Sequence, residues 1–156
     1  MITTKRAITF GAFDLLHHGH LRLLARLAEM AQEIYVGLAS DEIVTLKKGM
    51  PPSQDYNLRR ELLLNTPYVD TVLNHDGPVD SSGPVAMVAQ KIAFIEQHEI
   101  KLVVMGSDWI GAYDFLEPYC DVRYLDRTPG ISTTQIRTAL LDQATISTND
   151  NVNDKI

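Results

Sequence analysis

Gly11-Ala12-Phe13-Asp14-Leu15-Leu16-His17-His18-Gly19-His20 is the stretch on which the reading of this chain turns. Before it, Ala7-Ile8-Thr9-Phe10 is β-branched and aromatic, as a strand requires; after it, Leu21, Leu24, Ala25, Ala28 and Ala31 recur at helical steps. The stretch is therefore a strand-turn-helix junction. His17 and His20 fall on the first helical turn, where unpaired N–H groups and the positive end of the helix dipole attract anions. Gly11 leaves room for close backbone approach and Gly19 for tight packing at the helix start, so this junction is expected to bind phosphate. A zinc site is not expected: the single cysteine is Cys120, there is no HExxH, and no carboxylate joins the histidines at a ligand spacing.

Working outward, Ile34-Tyr35-Val36-Gly37-Leu38-Ala39 predicts a second strand, continuously apolar as a parallel strand covered on both faces must be. Ser40 or Asp41 can cap a short helix. Lys47-Lys48-Gly49-Met50-Pro51-Pro52-Ser53 reads as a basic loop, followed by a helix from Tyr56 that Pro67 stops. Residues 69–73 predict a third strand, 74–84 a mobile loop or lid, and the spacing of Val85, Val88, Ala89, Ile92 and Ile95 a helix ending near His98. Residues 102–105 and 122–125 predict the fourth and fifth strands, with Gly106-Ser107-Asp108-Trp109 at the carboxyl end of the fourth. A last helix is expected over 135–141 and a polar, disordered tail beyond it, so the domain is taken as 1–141 with the tail 142–156. Strands alternating with helices imply an α/β, Rossmann-like, doubly wound sheet of five parallel strands, first strand central, in one domain. Its ligand belongs at the carboxyl edge.

The totals bound the function. The 156 residues, 45% hydrophobic and 22% charged, suffice for one domain with a proper core. No run of 18 apolar residues occurs and residues 1–5 lack a signal core, so no membrane partner is expected. One cysteine fits a reducing cytoplasm. A net charge of −6 argues against a nucleic-acid partner, so any polyanion must be held by a local cationic cluster.

Arg127-Thr128-Pro129-Gly130-Ile131-Ser132-Thr133-Thr134 supplies a second anion site: a guanidinium, hydroxyls and a helix start. Two such sites in one small domain suit a nucleoside triphosphate spanning both, and no GxxxxGK[ST] phosphate loop is present. Taken together, Gly11-x-Phe13-Asp14-x-x-His17-x-Gly19-His20 and Arg127-Thr128-x-Gly130-Ile131-Ser132-Thr133-Thr134 resemble the cytidylyltransferase branch of the HxGH nucleotidyltransferases. The resemblance extends over residues 6–141 and takes in Tyr68-Val69-Asp70 and Met105-Gly106-x-Asp108-Trp109.

That resemblance implies an enzyme joining CTP to a small phosphomonoester, glycerol 3-phosphate first, to give a CDP-alcohol and pyrophosphate, with Mg²⁺ carried by the CTP phosphates. It implies that His17, His20, Lys47 and Arg127 are catalytic, and that Gly11, Ala12, Phe13, Gly19 and Lys48 line the nucleotide with Asp14 orienting the histidine turn. Arg127, Thr128, Gly130, Ile131, Ser132, Thr133 and Thr134 hold its base and outer phosphates. Lys47 and Lys91 are implied to grip the acceptor phosphate, with Asp108 or Trp109 positioning the rest. A homodimer is implied by the match around Tyr68-Val69-Asp70. The chain departs from the family at Ala12, where threonine is usual, and at Pro67, where arginine is usual; Arg59 or Arg60 is the candidate to supply the missing cation. Other polyol or amino-alcohol phosphates, adenylyl transfer, and a silent nucleotide-sensing module are the alternatives.

Overall fold

A computed structural model describes residues 3–78 and 87–126. Five strands, β1 (Arg6–Gly11), β2 (Glu33–Ala39), β3 (Thr71–His75), β4 (Leu102–Gly106) and β5 (Asp121–Leu125), form one wholly parallel sheet in the order β3-β2-β1-β4-β5. The four helices among the described residues are α1 (His18–Met30), α2 (Asp41–Lys48), α3 (Tyr56–Leu64) and α4 (Val88–Gln97). The first strand is central and the sheet parallel, as the alternation of elements predicts.

Strand side chains alternate between faces, and each face finds its own cover. Ile8, Phe10, Tyr35, Val103 and Met105 pack with Ile95 of α4 and with Tyr113 and Leu116. On the other face Ala7, Ile34, Leu102 and Val104 meet Leu27 and Ala31, while Val36 and Leu38 meet Leu24 of α1 and Leu63 of α3. The sheet is thus doubly wound, and the apolar runs read in β1, β2 and β4 are runs buried on both sides.

Several strands run a residue longer than read, and element bounds differ most in four places. Lys47 and Lys48 are the last turn of α2, not a loop: Ser40 accepts a hydrogen bond from Ile43 N–H, Asp41 and Glu42 occupy the first turn, and Gly49 closes the helix in the left-handed conformation. Opposite charges at opposite ends of a helix both suit its dipole, which is why the lysines extend it. β3 begins at Thr71 rather than Val69, because Val69 turns into the core beside Leu63 and the Asp70 carboxylate accepts Ile34 N–H at 2.7 Å. It also runs on through Asn74 to His75, two residues read as loop. α4 starts at Val88, three residues beyond the predicted start, after Met87 in a left-handed conformation. The expected lid residues 79–84, the last helix and the tail lie outside the described residues.

The register between β1 and β4 positions the site. Only Ala7↔Leu102 and Ile8↔Val103 are paired; beyond them Phe10 N–H donates to Met105 Sδ at 3.5 Å, and Thr9 Oγ1 donates to the same sulfur at 3.7 Å. The ladder gives way to a thioether at the carboxyl ends, where neighbouring connections leave for opposite sides. Open α/β sheets bind their ligands at that switch point.

Candidate active site

The histidine turn is built under strain and held by its neighbours. Phe13 (φ 49°) and Leu15 (φ 53°) both adopt the left-handed conformation, which non-glycine residues take only when the surroundings dictate it. Gly11 precedes them because a Cβ there would come within 3.0 Å of the Phe13 ring. The buried Asp14 carboxylate accepts Ser53 N–H at 2.7 Å and Gln54 N–H at 3.0 Å, and Gln54 Oε1 returns by accepting Leu15 N–H at 3.1 Å. Asp14 therefore works on the turn, clamping it to the segment that leads into α3.

His17 caps α1. Its Nδ1 accepts Gly19 N–H at 3.1 Å, and His20 Nδ1 accepts His17 N–H at 3.3 Å, so each ring closes on the backbone of the other's neighbourhood. The rings stack with centroids 3.8 Å apart, and Phe13 stands 5.2 Å from His20. Burial, helped by the charges of His17 and Lys48, pushes the His20 imidazole down to about 3; burial and His18 lower His17. With Nδ1 used as an acceptor in both, a neutral ring must carry its proton on Nε2. The pair therefore presents two N–H donors away from the helix. One first-turn amide expected to greet an anion, Gly19 N–H, is instead spent on His17.

The adjacent lysines diverge. The charge of Lys48 falls on His20, whereas that of Lys47 falls on His75 together with that of Lys91, and partial desolvation holds Lys47 below the usual lysine range. Lys91, in the first turns of α4, is fully buried, its Nζ 5.6 Å from the centroid of the Phe10 ring and 5.8 Å from that of Tyr113. Those two rings stack at 5.8 Å. Gly37 makes the arrangement possible, since a Cβ there would lie 2.4 Å from Phe10. Asp108 and Trp109 occupy the single 3-10 turn Ser107–Trp109 after β4, exposed, with Trp109 edge-on to Tyr113 at 5.9 Å. Tyr124 Oη fixes that segment by accepting Tyr113 N–H at 2.9 Å and donating to Asp114 at 2.8 Å.

Arg59 is a correction. It is fully buried, not a spare cation for the acceptor: Nε donates to Gln54 O, one terminal nitrogen to Ala12 O and Ala39 O, and the other to Asp41 Oδ1 at 2.6 Å. It ties together the carboxyl ends of β1 and β2, the head of α2 and the entry to α3. Arg127, Thr128, Gly130, Ile131, Ser132, Thr133 and Thr134 lie outside the described residues. Among the described residues no group of three or more His, Cys, Asp or Glu is disposed to hold a metal ion, and no helix is long and apolar enough to cross a membrane.

Sequence reading missed Gln54, which carries no motif, and His75, which it assigned to a loop. Only the pairing of Ala39 with His75 in the sheet places that histidine at the site's edge.

A strained strand-to-helix turn presenting two histidine N–H donors at the switch point of a parallel sheet accords with the family match: residues 8–139 match the cytidylyltransferase-like family model, and the chain belongs to that family. It is 41% identical over 133 residues to a glycerol-3-phosphate cytidylyltransferase of Bacillus spizizenii, covering 85% of this chain and 95% of that one. The enzyme of the same name from Staphylococcus aureus is 40% identical over 136 residues, covering 87% and 95%. Among solved structures, a lipopolysaccharide core biosynthesis protein from Thermoplasma volcanium shares the fold, with a TM-score of 0.59 at 18% identity over 81% of this chain and 99% of that one.

Proposed function

We propose that this chain condenses CTP with glycerol 3-phosphate to give CDP-glycerol and pyrophosphate. The observation that carries the reaction type is the His17–His20 pair, neutral and with both Nδ1 atoms occupied, so that each ring offers Nε2–H outward. The 41% identical relative supports the choice of acceptor. Mg²⁺ enters as part of the substrate, on the CTP phosphates.

The acceptor's phosphate has a second pKa of about 6, so near neutrality it is already a dianion and attacks the α-phosphorus in line, without a base to remove a proton. The new P–O bond forms as the bond to the bridging oxygen breaks and pyrophosphate leaves. His17 and His20 donate to the α-phosphoryl oxygens and that bridging oxygen, where charge grows in the transition state. A neutral donor held by the backbone gives this stabilisation without reorganising. Lys48, beside His20, serves the triphosphate, with Arg127 and the residues that follow it holding the base and outer phosphates. Lys47 and Lys91 take the acceptor phosphate, and Asp108, which repels phosphate, accepts a hydrogen bond from a hydroxyl. We take the working unit to be a homodimer.

Pyrophosphate release from CTP and glycerol 3-phosphate tests the reading directly. Turnover with CTP and not ATP, and with glycerol 3-phosphate ahead of ethanolamine phosphate, is expected. Preference for ATP, or for the amino-alcohol phosphate, overturns it.

A further inference from the structure

His75 ends β3 with its side chain 3% exposed, and its Nε2 has no hydrogen-bond partner among the described residues. Buried polar atoms are almost always paired, so this one calls for a partner. Its place is specific. The strand end it occupies lies on the ligand edge, its carbonyl accepts Ser40 N–H at the head of the helix that carries Lys47, and its ring stands 5.3 Å from Phe10. Phe10 is also the ring over which the Lys91 ammonium sits. His75 and Lys91 therefore flank one aromatic side chain, and burial with the charges of Lys91 and Lys47 holds the imidazole neutral.

Two ammonium groups and one neutral nitrogen suit different parts of a polyol phosphate. A phosphate dianion goes to the cations; a neutral imidazole adds no charge to hold it but hydrogen-bonds a hydroxyl in either tautomer, because a hydroxyl both donates and accepts. We propose that His75 is a specificity-determining residue whose Nε2 hydrogen-bonds a hydroxyl of the acceptor while Lys47 and Lys91 hold its phosphate. The proposal rests on the phosphomonoester reading above and says why that site would prefer a polyol phosphate to a bare alkyl phosphate. A site that leaves a buried polar atom unpaired rejects the substrate lacking its partner far more strongly than an apolar pocket discriminates by size.

The test compares glycerol 3-phosphate with propyl phosphate, which keeps the phosphate and loses the hydroxyls, by pyrophosphate release with CTP. The wild type should favour glycerol 3-phosphate in kcat/KM. His75→Phe should cut that preference by about tenfold or more, through glycerol 3-phosphate alone, with the KM for CTP unchanged; His75→Gln, which keeps a polar atom, should retain part of it. An equal fall on both acceptors, or no change on either, overturns the proposal. A wild type that turns over neither acceptor overturns the underlying reading, and is recognised before any substitution is made. Nitrogen-15 NMR of the histidine-labelled wild type needs no variant. The His75 Nε2 resonance should shift with glycerol 3-phosphate and not with propyl phosphate; indifference to both, or an equal response, again overturns the assignment.

Discussion

The two imidazoles of the histidine turn owe their chemistry to what touches them. His20 hydrogen-bonds the backbone through Nδ1 and is pushed down to about 3 mainly by burial, so near neutral pH its ring is neutral, and in the reaction proposed above it serves as a donor and not as a base. His20→Ala should lower kcat by about 10²–10³ while the Kd for CTP changes little. In the reaction proposed above the acceptor phosphate is the titrating group, so the acidic limb of the kcat/KM profile should stay near pH 6 in that variant. Loss of the limb with His20 would make it a base. Burial also links these residues to stability. His75 binds its proton near pH 6.5 in the unfolded chain and near 3 in the fold. Between those values the unfolded chain holds more protons, so stability falls as pH drops from about 6.5 towards 3. At pH 5 this one residue should account for about 2 kcal/mol of lost unfolding free energy, and urea melts of His75→Phe against the wild type at pH 7 and pH 5 should recover that difference.

At the level of elements, α2 and Arg59 do most to organise the ligand edge. Neighbouring residues on a helix point about 100° apart, so Lys47 and Lys48 diverge once they belong to α2 and not to a loop, and their charges fall on His75 and on His20 respectively. Lys47→Ala should raise the KM for the acceptor by more than that for CTP, and Lys48→Ala should do the reverse; steady-state kinetics with each substrate varied in turn reads the split. Arg59 joins three backbone carbonyls and the Asp41 carboxylate from the core. Arg59→Met leaves those carbonyls unpaired, and Asp41, partly solvated, recovers only some of its loss in water. The expected cost is about 3 kcal/mol of unfolding free energy in denaturant titration, larger than for any single exposed ion pair.

For the whole molecule, the expected homodimer rests on the family resemblance at Tyr68-Val69-Asp70. Val69 is buried against Leu63 and Tyr68 is partly buried against the same cluster, so the surface these three offer a partner is that of exposed Asp70, whose carboxylate accepts Ile34 N–H, and the outer part of Tyr68. Light scattering at micromolar concentration should return twice the chain mass, and a monomer there would separate the active unit from the dimer. The fold was legible because it is written in local pattern. Apolar runs of strand length alternating with helical periodicity admit a parallel sheet and little else, and the glycine-histidine turn marked the first strand-to-helix junction as the ligand edge. What the tertiary structure alone decided was the state of the polar groups. Arg59 and Lys91 read as cations of the acceptor site, and only the fold shows both to be fully buried, because the groups around them, at Ala12, Ala39, Phe10 and Tyr113, lie far away in sequence. His75 read as loop and ends a strand because the backbone of β2 pairs with it, and the splayed ends of β1 and β4 depend on a methionine 95 residues from the amide it accepts. Periodicity reports which face a side chain takes. Desolvation and hydrogen bonding are fixed by whatever the fold brings to that face, and they set which groups are neutral, which are charged and which can donate to a ligand.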